Sequence, residues 1–160
     1  MGHSGGNLGV MQNFENKLAR VIAVTPSGEV LLNRRPAWSK QAAGKLQILG
    51  GKFEKIDTTR KHAAIREILE ELGLKLFVRD VLFMCASENN GWITFAFICL
   101  LDNEYDPGQM PDHGEFDKLE LVPISQIAEL IGTGDIAFDH PELLNTFLKV
   151  IGKWPCQNSL

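Results

Sequence analysis

The stretch Gly50–Leu74, GGKFEKIDTTRKHAAIREILEELGL, restricts this chain more than any other segment. Two adjacent glycines precede a run in which Ile65, Ile68, Leu69 and Leu72 recur at helical spacing. Glu67, Glu70 and Glu71 fall on the roughly opposite arc. At roughly 100° per residue, Glu71 lies about 40° from Glu67, and Glu70 about 60° away on the other side. The spacing therefore predicts an amphipathic helix with three carboxylates on its exposed ridge. Like charges at i,i+4 destabilise a helix by about 0.2–0.5 kcal/mol per pair. The macrodipole disfavours anions in the last turns by roughly 0.3–1 kcal/mol each. A hard divalent cation would turn that repulsion into ligation. For an isolated glutamate cluster, a solvated acidic face is the competing explanation.

The rest of the chain fits a catalytic domain. Its 160 residues suit one domain, and a hydrophobic content of 44% can supply a sizeable core. The net charge is −4 and no basic run occurs, which argues against nucleic acid as a partner. Cys85, Cys99 and Cys156 are odd in number and lack CxxC spacing. Cys85 and Cys99 lie in apolar strand-like runs, as buried free thiols do, so a reducing, cytoplasmic setting is expected. No apolar stretch reaches membrane-spanning length, so no membrane partner is expected. The N-terminal MGHSGGNLGVMQN has no signal-peptide core. The organisation expected is a flexible leader or expression remnant over 1–16, one domain over 17–156 and a tail over 157–160, as monomer or homodimer.

Turn signals divide the domain into alternating elements. Leu18–Thr25 and Glu29–Arg34 read as a hairpin around Pro26-Ser27-Gly28. Leu46–Leu49 feeds the double glycine. The helix should run from about Thr59 to Leu72, with Asp57, Thr58 or Thr59 as N-cap and Gly73 closing it. Leu76–Ser87 and Trp92–Leu101 read as strands joined at Asn90-Gly91. Asp102–Asp117 reads as a polar loop and Leu119–Val122 as a last strand. Pro123 opens a short helix to about Ile131. Pro141–Lys153 carries Leu143, Leu144, Phe147, Leu148 and Ile151 at helical spacing, a terminal amphipathic helix.

The order of residues around the glutamates resembles the box of the Nudix hydrolase family, G-x5-E-x7-R-E-U-x-E-E-x-G-U, where U is a bulky aliphatic. Arg66, Glu67, Ile68, Leu69, Glu70, Glu71, Leu72, Gly73 and Leu74 match its second half, and Gly50, Gly51 and Glu54 supply the usual GGxxE. Between Gly51 and Arg66 there is one residue too many, so the first box acid falls on Asp57 or Thr58. The proline often found before the double glycine is Leu49. The element order resembles the Nudix α/β/α sandwich with a mixed sheet, over roughly Lys17 to Trp154.

The resemblance implies hydrolysis of a nucleoside diphosphate linked to a group X, by attack of water on phosphorus with Mg2+, or Mn2+ in its place. Carried over by position, Glu67 and Glu71 are the main metal ligands. Glu70 is a third ligand or base, and a carbonyl of Gly50 or Gly51 completes the set. Arg66 orients the carboxylates. Glu115 in GEFDKLELVPI is a candidate base and can equally be a solvated loop acid; Glu120 could replace it unless strand alternation points it elsewhere. Glu54 braces the glycine loop or meets metal through water, and Lys52 contacts phosphate or solvent. One of Arg34 and Arg35 faces the substrate.

Lys45–Glu54, KLQILGGKFE, looks like the KLEFPGGKxE of mutator-type (MutT-like) nucleoside triphosphate pyrophosphohydrolases. AFDHPELL at Ala137–Leu144 is similar to a segment placing a base-recognising Asn or Asp, a position held here by Asp139. The competing and more common role for Asp139 is simply the N-cap of the last helix, given Pro141 two residues later. Trp38 and Trp92 could stack a base, although aromatics in such places commonly anchor a loop. The proline of ADP-ribose members and the tyrosine of dinucleoside polyphosphate members are absent from Glu88–Gly91. The reading is a small-molecule nucleotide hydrolase releasing a monophosphate and pyrophosphate, with ADP-ribose or nucleotide-sugar cleavage as one alternative and a non-catalytic nucleotide-sensing module as another.

Overall fold

In a computed structural model, residues 15–109 and 118–153 are described. β1 (Lys17–Val24) and β2 (Glu29–Arg34) form the expected hairpin, and Thr25 and Glu29 exchange bonds across its turn. The two strands pair only at Ala23–Leu31 and Val24–Val30 before they splay apart. β3 (Leu46–Lys52) fills the wedge. Its first half pairs with β2 through Leu46, Gln47 and Ile48, and its second half pairs with β1 through Leu49 to Lys52. The double glycine is thus held at the point where β3 has left β2 and lies along β1.

α1 (Arg60–Leu72) follows, then β4 (Val81–Asn89), β5 (Trp92–Leu100), β6 (Lys118–Pro123), α2 (Ile124–Gly132) and α3 (His140–Ile151). The sheet order is β4-β5-β1-β3-β2-β6, with β1 parallel to β5 and the other pairings antiparallel. Strand alternation divides the core between two layers. Ala19, Val21, Ala23 and Leu49 pack with Ala63, Ala64, Ile68 and Leu72 of α1. Ile22, Val24, Leu32 and Ile48 pack with Ile127 of α2 and Leu144 and Phe147 of α3. The result is an α/β/α sandwich around a mixed sheet.

Of the candidate caps of α1, Thr59 holds the position, its hydroxyl accepting the His62 N–H at 3.0 Å. At the other end the Gly73 N–H returns to the Leu69 carbonyl at 2.9 Å. The segment expected to open a strand at Leu76 instead forms a short 3-10 turn at Val78–Asp80, and β4 begins at Val81. The Asp80 carboxylate takes the Phe77 N–H at 2.8 Å, a local side-chain bond that outcompetes strand pairing there. Asn90 and Gly91 both adopt left-handed φ values, 52° and 81°, which matches the twist of a two-residue hairpin turn.

Candidate active site

The site is built where the end of β3 passes the C-terminal half of α1. A Cβ on Gly50, whose φ is 135°, would sit 1.9 Å from the Ala19 carbonyl oxygen. A Cβ on Gly51 would sit 2.6 Å from Glu67 Oε1. The first glycine therefore lets β3 lie against β1, and the second leaves room for a carboxylate. The Gly50 N–H donates to Glu71 Oε2 at 3.0 Å. Glu67 and Glu71 thus reach the same two residues of backbone from one helix.

The acidic ridge differs from a simple exposed face. Glu67 is buried, whereas Leu69, expected on the apolar side, is half exposed. Burial raises the Glu67 pKa, and the nearby Arg66 only partly offsets this. Arg66 donates through Nε and Nη2 to both oxygens of Asp57, each at 2.9 Å. Its Nη1 lies 3.0 Å from Glu54, 3.1 Å from Glu67 and 3.2 Å from Glu70. The Arg66 pKa is raised chiefly by the bond to Asp57, which explains why its shift and that of Glu67 do not mirror one another. Nη2 also donates to the Lys52 carbonyl at 3.1 Å, tying the helix to the glycine loop.

Asp57, not Thr58, therefore meets the box arginine. Its side chain is 0% exposed. Burial pushes its pKa up, but the Arg66 bonds and the Glu54 N–H, at 2.8 Å, leave it below the ordinary value. The extra residue is absorbed in the turn before α1, where the Thr58 N–H turns to His62 Nδ1 at 3.1 Å. Glu70 is exposed and directed at Arg66, and Glu54 also lies on Arg66. Among the described residues, no three His, Cys, Asp or Glu side chains gather as a metal cluster. Glu115 lies outside the described residues.

The other named residues divide between two places. Arg34 grips Glu120 with Nε and Nη2 and reaches Asp135 and the Gly44 carbonyl with Nη1, so it binds β2 to β6 and to two loops. That pairing also occupies Glu120. Arg35 donates to the Gln41 carbonyl and Gln47 Oε1, both at 3.0 Å, and lies 5.1 Å from the centre of the Phe138 ring. Lys52 Nζ sits 5.3 Å from the Trp92 ring, at a cavity of about 250 Å³ that Lys17 and Phe53 also line. Asp139 occupies the N-cap position of α3, yet its side chain makes no capping bond.

Three residues not singled out from the sequence lie along this part of the fold: Phe138 and His140, the chain neighbours of Asp139, and Arg20 on β1. Phe138 is half exposed with φ of 55°, a left-handed conformation costly for a bulky side chain. His140 is buried, and its Nδ1 accepts the Ile48 N–H at 3.0 Å. Burial, then Arg20 and Arg35, holds its pKa well below the ordinary histidine value. Arg20 Nη1 donates to the carbonyls of Ile48 and Gly50, at 3.2 and 3.1 Å. The signal for Arg20 was present in LARVIAV, where a charge interrupts an apolar strand.

Comparison with known proteins follows the same geometry. A CTP pyrophosphohydrolase from Escherichia coli is 37% identical over 79 residues, which span 48% of this chain and 57% of that protein. A MutT protein from Methanosarcina mazei superposes with a TM-score of 0.58 at 20% identity, over 86% of this chain and 95% of that one. Shewanella oneidensis NrtR, solved in complex with DNA, superposes with a TM-score of 0.64 at 15% identity, over 87% and 64%. The NUDIX domain family profile matches residues 16–146. The box helix, the double glycine and the mixed sheet thus belong to a member of the Nudix family.

Proposed function

We propose that this chain is a divalent-metal-dependent pyrophosphohydrolase that cuts a nucleoside triphosphate into a monophosphate and pyrophosphate. The observation that carries this reading is the meeting of Glu67 and Glu71 at the backbone of Gly50 and Gly51, with a carboxylate filling the space that a side chain on Gly51 would need. Hard oxygen donors of this kind suit Mg2+, and Mn2+ as a substitute. Glu67, Glu71 and the Gly50 carbonyl would hold the ion, and Glu70 would join them by leaving Arg66. When bound, such an ion neutralises phosphate charge and lowers the pKa of coordinated water.

The chain's own groups do the rest. Arg66 keeps the box carboxylates in place, Lys52 attracts phosphate, and Asp139 meets the base. Glu70 or Glu115 accepts the proton of the attacking water. The water oxygen bonds to phosphorus as the bridging P–O bond breaks, and the bridging electron pair leaves with the pyrophosphate or monophosphate. Asp139 and the likeness to a CTP pyrophosphohydrolase support a nucleoside triphosphate over ADP-ribose or a nucleotide sugar. We assign the protein to the cytoplasm, as monomer or homodimer. The described free cysteines Cys85 and Cys99 fit a reducing setting, and among the described residues no helix is long and apolar enough to cross a membrane.

The test is a magnesium-dependent pyrophosphate-release assay over the nucleoside triphosphates, with ADP-ribose and a nucleotide sugar alongside. Pyrophosphate from a triphosphate, lost in Glu71→Gln, is the expected result. Turnover of only a sugar-linked diphosphate would discard the triphosphate. A second reading, a module that binds nucleotide without cleaving it, draws on the attachment of Glu70 to Arg66 and the missing three-acid cluster among the described residues. It predicts tight nucleotide binding with no product in any arm.

A further inference from the structure

Three strands begin or end together beside the double glycine: β3 ends at Lys52, β1 begins at Lys17 and β5 begins at Trp92. The Phe53 N–H donates to the Lys17 carbonyl at 3.0 Å, and the Ile93 N–H to the Asn16 carbonyl at 2.9 Å, so the three ends are tied to one another. Further back along β3, Gly50 meets Glu71 of α1, and Ile48 meets His140 at the start of α3. At roughly 3.3 Å per residue, Ile48 and Lys52 are about 13 Å apart along the strand, with the glycines between them.

The cavity of about 250 Å³ lies at this rim, lined by Glu15, Asn16, Lys17, Lys52, Phe53 and Trp92. Lys52 pairs opposite Leu18, so alternation sets it and Lys17 on opposite faces of the sheet. Both line one cavity because the sheet ends there. Two ammonium groups against one carboxylate make the lining basic, whereas acids predominate around Arg66. Lys52 Nζ lies 5.3 Å from the centre of the Trp92 ring. An indole face attracts an ammonium without neutralising it, so the charge stays available to an anion. Arg66 holds the Lys52 carbonyl at 3.1 Å, so the box fixes the backbone from which that ammonium extends. The volume is smaller than the roughly 300–1,000 Å³ of pockets that enclose a drug-sized ligand, and suits one end of a nucleotide.

We propose that this cavity is the terminal-phosphate subsite: Lys17 and Lys52 bind the phosphate farthest from the nucleoside, and Trp92 is a positioning residue that holds Lys52 toward it. The inference rests on the triphosphate reading above. With the base at the loop ahead of α3 and the inner phosphates at the glycines, the line of β3 leads the last phosphate to Lys52. An ammonium is a compact charge with three donors, suited to a phosphate group. A nucleoside triphosphate gains a charged contact there that a diphosphate lacks. A nucleobase stacked on Trp92 is the competing occupant, and it predicts the opposite response to substitution.

The experiment is calorimetric binding of inorganic pyrophosphate and of cytidine monophosphate, each with magnesium, to wild type, Lys17→Met, Lys17→Arg, Trp92→Leu and Trp92→Phe. Every variant is checked for a cooperative thermal transition, and CTP and CDP turnover is followed on the same preparations. Lys17→Met should bind pyrophosphate about fivefold or more weakly and cytidine monophosphate within about twofold of wild type, with Lys17→Arg recovering most of the loss. Trp92→Leu should change in the same direction by less, and Trp92→Phe, which keeps a ring face, should stay near wild type. The Trp92 variants carry the test if Lys17→Met does not fold. In turnover the loss should appear as a higher KM for CTP at nearly unchanged kcat, with CDP unaffected. Unchanged pyrophosphate binding in Lys17→Met, or none by wild type, overturns the proposal. So does a larger loss for cytidine monophosphate than for pyrophosphate in Trp92→Leu, which would seat the base there. An equal loss of both ligands in every variant overturns it too, by reducing these residues to structure. The two readings fail separately: pyrophosphate binding that depends on Lys17, with no product from any triphosphate, would sink the hydrolase and keep the phosphate site.

Discussion

The two ends of β3 satisfy charge in opposite ways. At the Gly51 end, Arg66 is surrounded by the carboxylates of Asp57, Glu54, Glu67 and Glu70, and acid outnumbers base. At the Ile48 end, Arg20 and Arg35 are held mainly by backbone carbonyls and an amide side chain, while the charges of Glu71 and Glu67, and after them Asp139, act on Arg20 without a bond. The first end is an acidic surplus around one guanidinium, which the proposed cation would neutralise. The second is a set of donors with one carboxylate among them, suited to a ligand with its own hydrogen-bonding edge. The metal site and the base contact proposed above lie close together along one strand, and the variants that divide them should behave differently.

The largest difference should come from Glu71→Gln. The glutamine carbonyl can still accept the Gly50 N–H, so the fold survives, and removal of a negative charge should hold or raise the metal-free melting temperature. Turnover should fall by about a thousandfold or more, since electrostatic stabilisation at a phosphoryl centre depends on the held ion. Pyrophosphate release beside a thermal melt checks both halves, and normal turnover would remove Glu71 from the metal site. Arg66→Met should strike stability instead. It leaves the fully buried Asp57 carboxylate without its partner, and breaking a buried pair costs about 3–5 kcal/mol. Urea unfolding measures this. A double variant with Asp57→Asn should recover part of the loss, and additive losses would show that the pair is not the cause.

The same contrast decides what could be read from the chain. The box end is local: Arg66, Glu67, Glu70 and Glu71 lie within two turns of one helix, and spacing alone puts them on one side. Even so, spacing could not show that Glu67 would be buried while Leu69 was left outside. That depends on Gly51, which makes room for the carboxylate from another element. The order of strands and helices was equally legible, because turns such as Asn90-Gly91 are written in adjacent residues. The recognition end is assembled from distant segments. Arg20, Ile48 and His140 meet only because β3 inserts between β1 and β2, and no local period reports that insertion. Arg34 and Arg35 are adjacent in sequence, yet one is fixed to β6 and the other lies on Phe138, a division set by strand alternation and by the arrival of the 135–140 loop.

A smaller effect should separate the roles open to Asp139. Asp139→Asn keeps a capping oxygen and adds a donor, so it should shift the CTP-to-UTP ratio of kcat/KM about tenfold or more toward UTP with little change in melting temperature. A uniform loss across bases, with a lower melting temperature, would make the residue a helix cap alone.

The smallest effect is a pH slope at the recognition end. His140 is held neutral in the fold by burial and by Arg20 and Arg35, while in the unfolded chain it titrates near the ordinary histidine value of about 6.5. Its contribution is therefore fully present above that value. As pH falls below it, the unfolded chain takes up a proton that the fold refuses, and stability declines by at most about 1.4 kcal/mol per pH unit. Asp57 behaves in the same direction but lower, since its folded value is depressed and its stabilisation is lost only below the ordinary carboxylate range. Between pH 7 and 5.5 the loss of stability should thus belong to His140, opposed by Glu67, whose raised folded value favours the fold as pH falls. Melting temperatures across that window should fall more in the wild type than in His140→Gln, whose side-chain oxygen can still accept the Ile48 N–H and which leaves the Glu67 contribution unchanged. An equal slope in both would assign the acid sensitivity to other groups and leave the recognition loop held by packing alone.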